Sequence, residues 1–190
     1  MGKIVAIVSS PRPKGNSEAI VDAITDGAMG LSTNVIKLYR LDALRSVHGC
    51  KACMKCKECG HCVQQDDITP ILEDLADADC VIFSSPVYFG SPNAQYRLLE
   101  DRMYSLVGPD GKKFLPAGKK AIVVVTAGGS EEYAKPVADR MAGILKAIGF
   151  EIDEVVVYSD KSGAAPARED AEFMKKMKEV GLRYRNNWPA

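Results

Sequence analysis

The run Ile4-Val5-Ala6-Ile7-Val8-Ser9-Ser10-Pro11-Arg12-Pro13-Lys14-Gly15-Asn16-Ser17 decides the fold. Its first five residues are continuously apolar, as a parallel strand buried on both faces requires. Over residues 18–29 the apolar positions Ile20, Val21 and Ile24 recur at helical spacing. The order is strand, polar loop, helix, and in an open α/β sheet ligands bind at such a strand end. The loop suits a phosphate. A helix N-terminus offers unpaired backbone N–H groups and the positive end of the dipole. Ser9, Ser10, Asn16 and Ser17 add neutral donors, and Arg12 adds a planar cation. Gly15 lets backbone and ligand approach closely. The plainer alternative is a capped helix with Asn16 or Ser17 as N-cap. Neither G-x-x-x-x-G-K-[ST] nor G-x-G-x-x-G follows the strand, which argues against a P-loop nucleotidase and a Rossmann dinucleotide domain.

Outward from this unit the alternation repeats. Residues 33–39 read as strand two, 80–84 as strand three, 121–125 as strand four and 152–158 as strand five. Helices are predicted from about Ile68, over 94–106, from Glu131 to a cap at Gly149, and over 169–184, with a flexible link at 160–168. Asp66 and Asp67 can cap the second helix, whose first turn accommodates Pro70. Five strands alternating with helices predict an α/β fold, a doubly wound five-stranded parallel sheet in the order 2-1-3-4-5. The 190 residues suit one domain, 1–190, with a cysteine-rich insertion at 48–65 after strand two.

The chain carries 25 basic and 25 acidic residues, so no overall field favours nucleic acid. With no signal pattern and no apolar run long enough to span a bilayer, a soluble, cytoplasmic protein is expected, with no membrane partner. In a reducing compartment, clustered cysteines hold metal more often than they pair.

In the predicted sheet, the loops after strands one, three and four meet at the carboxyl edge. The first suits phosphate. The third, with Pro86, Val87, Tyr88, Phe89 and Gly90, offers a stiff, partly aromatic wall. The fourth, with Thr126, Gly128 and Gly129, offers backbone amides to a planar heterocycle. Together they suit FMN, although Tyr88 and Phe89 taken alone could be core residues.

Ser10-x-Arg12-x-x-x-Asn16-Ser17, followed by Ser84-Ser85-Pro86-Val87-Tyr88-Phe89-Gly90, resembles the NADPH-dependent FMN reductase family of the flavodoxin-like fold. Ala94-Gln95-Tyr96-Arg97 and Asp101-Arg102-Met103-Tyr104 resemble that family's helix after the third loop, where Leu-Lys is commoner than Tyr96-Arg97. The resemblance implies that Ser10, Arg12, Asn16 and Ser17 hold the phosphate. It places residues 86–90 along the isoalloxazine ring. It also implies a homodimer or homotetramer.

The insertion reads Cys50-Lys51-Ala52-Cys53-Met54-Lys55-Cys56-Lys57-Glu58-Cys59-Gly60-His61-Cys62. C-x2-C-x2-C is the spacing with which one short loop wraps a [4Fe–4S] cube. The fourth ligand is then Cys59 or Cys62. Cys62 is preferred, because Gly60 gives the longer step room to turn. Iron–sulfur flavoproteins of this fold resemble the chain here, with a longer gap before a final cysteine, and Cys62-Val63-x-x-Asp66-Asp67 is similar to the end of their motif. The metal set is therefore Cys50, Cys53, Cys56 and Cys62. Zinc on four thiolates, an empty site and a thiol sensor are the alternatives. Lys51, Lys55 and Lys57 are expected to lower the thiol pKa values. Cys80 reads as core.

The expected function is an oxidoreductase that passes electrons between a [4Fe–4S] cluster and FMN, with the flavin carrying the chemistry. The resemblance implies a ferredoxin-like donor, and a quinone, oxygen, peroxide or another protein would be the acceptor. The rivals are a cluster-free NAD(P)H-dependent FMN or quinone reductase and a zinc-bearing flavodoxin-like module.

Overall fold

A computed structural model describes residues 2–30, 33–160 and 167–185. Six strands are described: β1 (Lys3–Val8), β2 (Val35–Arg40), β3 (Cys80–Tyr88), β4 (Ser91–Pro92), β5 (Lys120–Ala127) and β6 (Glu151–Ser159). The five longer ones pair in parallel in the order β2-β1-β3-β5-β6, and β4 folds back antiparallel onto β3. Apart from that two-residue strand, this is the expected 2-1-3-4-5 order, the flavodoxin-like one.

Among the described residues six α-helices accompany the strands: α1 (Asn16–Met29), α2 (Cys56–Cys59), α3 (Thr69–Asp77), α4 (Ala94–Arg102), α5 (Glu131–Ile148) and α6 (Ala171–Leu182). Alternate strand residues serve opposite faces, as the two-residue period requires. Ile4, Ala6 and Val8 of β1 pack with Ile20 and Ile24 of α1 and Met177 and Val180 of α6. Val5 and Ile7 pack on the other face with α3, α4 and α5, through Ile71, Leu99 and Met141 among others.

Several boundaries depart from the sequence reading. α4 ends at Arg102, and Met103–Leu106 tightens into a 3₁₀ turn. α6 begins after a separate 3₁₀ turn, Ala167–Glu169. Of the link expected at 160–168, residues 161–166 lie outside the described residues. Only Asp66 serves the start of α3, accepting from Ile68 N at 3.1 Å. Asp67 instead accepts from the amides of Arg45 and Ser46 at 2.7 and 2.9 Å, closing the loop before the cysteines.

Strand β3 runs four residues further than the expected 80–84, through Ser85 and Pro86 to Tyr88. Its polar side chains are satisfied within the fold: Ser84 Oγ donates to Ile7 O at 2.9 Å, and Ser85 Oγ lies 3.0 Å from Pro86 O. Val87 pairs with Pro92 and Tyr88 with Ser91, which leaves Phe89-Gly90 as a two-residue hairpin loop. Both carry positive φ, 50° and 72°, as a type I′ turn demands. Among the described residues no helix is long and apolar enough to cross a membrane.

Candidate functional site

A cavity of about 360 Å³ opens at the carboxyl ends of β1, β3 and β5, within the range of small-molecule sites. Ser10, Arg12, Lys14, Gly15, Asn16 and Ser17 form one side, Pro86, Val87 and Tyr88 a second, and Thr126, Ala127 and Gly128 a third, with Asp160 at the margin. Gly15, not Asn16 or Ser17, is the N-cap of α1, and it makes no side-chain cap. The two polar side chains are therefore released for other contacts. Ser17 Oγ lies 2.8 Å from Thr126 Oγ1, which joins the start of α1 to the end of β5. Asn16 Oδ1 accepts from Ala167 N at 2.6 Å, so the amide end of that side chain is left for a ligand.

The acid in this first turn is neutralised. Glu18 accepts from Arg40 and from the amide of Lys14. Burial alone would raise its carboxyl, but those contacts hold it below the usual carboxylate range. Among the described residues, Arg12 and Lys14 make no ion pair. Two free cations and a helix N-terminus thus share one end of the cavity, where an anion is favoured.

Asn93 ties the ends of β1 and β3 to the start of α4. It is 1% exposed. Its Oδ1 lies 2.7 Å from Ser9 Oγ and 3.2 Å from Ser85 Oγ, and accepts from Tyr96 N at 3.3 Å as the N-cap of α4. Its Nδ2 donates to Ser9 O at 2.7 Å.

A second, smaller cavity, about 20 Å³, lies under the cysteine loop. It is lined by Cys50, Cys53, Cys56 and Cys62, with Arg102, Tyr104 and Ser105 from the end of α4 and the turn after it. Cys59 is not among the lining residues. Its thiol donates to His61 O at 3.2 Å, and Gly60 caps α2 with φ 78°. Ala52 and Met54, on either side of Cys53, have φ of 50° and 60°. Left-handed backbone at non-glycine residues is strained, and it aims successive amides into anion-binding concavities.

Lys57 fastens this loop to the body. Its Nζ sits 3.3 Å from the centroid of the Tyr104 ring and donates to the carbonyls of Tyr104, at 2.7 Å, and Val107. At Cys56 the expected lysine effect is present but outweighed, and the thiol is raised. Burial is the largest influence and raises that thiol, Lys57 opposes it, and the neighbouring thiols Cys62, Cys50 and Cys53 raise it further. Among the described residues, no three His, Cys, Asp or Glu side chains are gathered for a single metal ion. Cys80 is core, as read: burial pushes its thiol up to about 12.

The family model described as NADPH-dependent FMN reductase matches residues 2–160. The chain belongs to that family. Like the family, it is a flavoprotein oxidoreductase. An iron–sulfur flavoprotein from Archaeoglobus fulgidus is 32% identical over 181 residues, covering 94% of this chain and 77% of that protein. A second, from Methanocaldococcus jannaschii, is 39% identical over 104 residues, 53% of this chain and 51% of its own length. The match thus spans about half of that relative. Among solved structures, an FMN-dependent NADH-azoreductase from Bacillus anthracis in complex with FMN superposes with a TM-score of 0.73 at 15% identity, over 98% of this chain and 100% of that one. At that identity it speaks for the fold.

In this FMN reductase family member, Ser10, Arg12, Asn16, Ser17, Pro86, Val87, Tyr88, Thr126 and Gly128 are brought to one cavity. Phe89, Gly90 and Gly129 are not. Phe89 and Gly90 form the hairpin tip, where the Phe89 ring is fully exposed. The Gly129 carbonyl accepts from the Ser159 hydroxyl. Lys14, Ala127 and Asp160 line the cavity without having been singled out from sequence. Asn93 was legible in principle, since Asn directly before a helix is an N-cap signal.

Proposed function

We propose that this chain is an iron–sulfur flavoprotein. It binds FMN in the larger cavity, holds a [4Fe–4S] cluster on Cys50, Cys53, Cys56 and Cys62, and passes electrons between them to a small-molecule or protein acceptor. The sorting of the thiols carries this reading: these four line one cavity, while Cys59 turns to a carbonyl. In a cube each thiolate binds a different iron, so the four sulfurs need not converge on one point as around zinc. The donor set matches a cube in kind and number. Cys50 and Cys53 are exposed, so their side chains can swing outward to enlarge a space now the size of a water.

The residues at the larger cavity fit FMN equally. Arg12, Lys14 and the α1 amides hold the phosphate, helped by the hydroxyls of Ser10 and Ser17. Pro86, Val87 and Tyr88 form the flat side, and the Thr126–Gly128 segment presents its backbone to the ring. When bound, FMN and cluster supply the redox chemistry, since a flavin exchanges single electrons with a metal centre and pairs with an organic partner. The protein contributes position, electrostatics and exclusion of water. Either a ferredoxin-like carrier or NAD(P)H suits as donor, and a quinone, oxygen or peroxide as small acceptor. A cytoplasmic homodimer or homotetramer belongs to this reading on the family resemblance.

One observation favours a cluster-free NAD(P)H-dependent reductase: the thiol cavity is small as it stands. Anaerobic purification with iron, sulfide, zinc and FMN assays separates the readings. The iron–sulfur reading expects about four irons and one FMN per chain. It also expects Cys62→Ala to lose the iron while keeping FMN, and Cys59→Ala to keep both. Iron-free protein whose flavin is bleached rapidly by NAD(P)H would establish the rival. Zinc without iron or FMN would point to a binding module.

A further inference from the structure

Arg102 is the last residue of α4 and 1% exposed, among the most thoroughly buried large side chains in the protein. Its Nη1 donates to Asp66 Oδ2 at 2.6 Å and to His48 O at 3.0 Å. Its Nε donates to Cys62 Sγ at 3.2 Å. Among the described residues its buried Nη2 has no hydrogen-bond partner, although a guanidinium is one of the most demanding donors a protein can bury. Arg102 also lines the cavity of the four thiols. Because the guanidinium is planar, Nε and Nη2 share one edge, so the unused donor stands beside the one that Cys62 accepts.

A buried ion pair is a poor source of stability, and apolar replacements often do as well. A buried donor without a partner costs stability, and this one belongs to a guanidinium that lines the thiol cavity and already donates to one of its sulfurs. The arrangement has the form of a hydrogen-bonding fork with one prong occupied. A sulfur-rich anion seated on the thiols would occupy the other.

We propose that Arg102 is a positioning residue for the group held by Cys50, Cys53, Cys56 and Cys62. Nε orients the Cys62 thiolate, Nη2 donates to the bound anion, and Asp66 and the His48 carbonyl fix the plane of the fork. This rests on the iron–sulfur reading above. Taking up one electron makes a cluster more negative, so a fixed cationic donor stabilises the reduced form more than the oxidised form. Arg102 therefore raises the reduction potential.

Removing Arg102 alone would strand the Asp66 carboxylate in the interior, so the variant is Arg102→Met combined with Asp66→Asn, which removes both charges. Full-length protein is reconstituted anaerobically with iron and sulfide. Iron, sulfide and FMN per chain are measured, and the cluster potential is read by a dithionite titration followed by electron paramagnetic resonance. The double variant is expected to keep FMN and still take up iron. The net charge is unchanged, so the titration reads the loss of the donors aimed at sulfur: the reduced-to-oxidised ratio at a given potential should fall about tenfold, a shift of about 59 mV to more negative values. Arg102→Lys, which keeps a cation but not the fork, should recover part of that shift. An unchanged potential in an iron-loaded double variant overturns the role of Arg102 and leaves the cluster reading standing. Wild-type protein that takes up no iron and sulfide overturns both. A merely structural role would lower melting temperature and FMN content and leave the potential of the loaded fraction unmoved, which also counts against the proposal.

Discussion

Truncating Asn93 to alanine should cost about 3 kcal/mol, because the side chain is both a helix cap and the link between two strand ends. The cap bond to Tyr96 N is worth about 1 kcal/mol. The bond from Nδ2 to Ser9 O is buried, and its loss leaves a carbonyl stranded, at about 1–3 kcal/mol. The two hydroxyls lose less. Ser9 Oγ is also within 2.8 Å of Ser84 O and Ser85 Oγ within 3.0 Å of Pro86 O, so each proton has another acceptor. Urea denaturation of the FMN-free protein, with an unchanged m-value, measures the loss directly. In a chain of this size it corresponds to about 6–12 °C in Tm. FMN affinity should weaken in the same variant, since the loops after β1 and β3 are held at a common distance by this one amide. A loss under about 1 kcal/mol with FMN affinity intact would refute the reasoning, because neither the cap nor the buried carbonyl would then matter.

Helices α1 and α6 meet backbone to backbone: a Cβ on Gly181 would lie 1.9 Å from Ile24 O, while one on Gly143 of α5 meets nothing within 4 Å. Gly181→Ala should therefore destabilise by about 1–3 kcal/mol or more, and Gly143→Ala should be neutral or stabilise by up to about 1 kcal/mol. Equal melting temperatures for the two variants would rule out the close crossing. Asp74 would be raised by burial, but Lys3, Lys37 and Tyr39 bring its pKa down from 3.8 to about 2. A depressed carboxyl stabilises the fold above its unfolded pKa and loses that contribution as pH falls through the folded value. Asp74→Asn should thus cost about 1–2 kcal/mol near pH 7, reduced for its partly exposed lysine partners. The difference from wild type should close between about pH 4 and pH 2; a gap independent of pH would show that the carboxylate charge is not its source.

The sheet order and most element positions were legible because they follow from short-range patterns. Apolar runs give β1, β3 and β5, Pro70 fits the first turn of α3, and Gly149 closes α5 with φ 121°. The misread parts are those where local chemistry points one way and tertiary contacts another. Ser84-Ser85-Pro86 looks like loop, but each polar group finds a partner inside the fold, so the strand continues. Phe89 looks like part of an aromatic wall, yet it occupies the first position of a tight hairpin turn, where a positive φ carries the ring away from the cavity. Nothing in the sequence marks Phe-Gly as such a turn, as Asn-Gly would. The 3₁₀ tightening after Arg102 has no Gly or Pro to announce it.

Arg102 shows why the second site was harder to read than the first. Its partners His48, Cys62 and Asp66 lie 54, 40 and 36 residues away in sequence, and no periodicity reports contacts at such separation. What connects them is α4 itself. Nine residues at 1.5 Å per residue make a rod of about 13 Å. Asn93 fastens one end to the loops of the flavin cavity, and Arg102 closes the other over the thiols. Two residues before Arg102, Glu100 accepts a two-pronged contact from Arg140 of α5 at 3.0 and 2.9 Å. Such a fork resists rotation of the helix about its own axis. The spacing between the two cavities of one chain is therefore set by a rigid, three-point-anchored element rather than by the cysteine loop. Changes in loop length between Gly49 and Val63 should alter ligand geometry at the thiols while leaving that spacing almost unchanged.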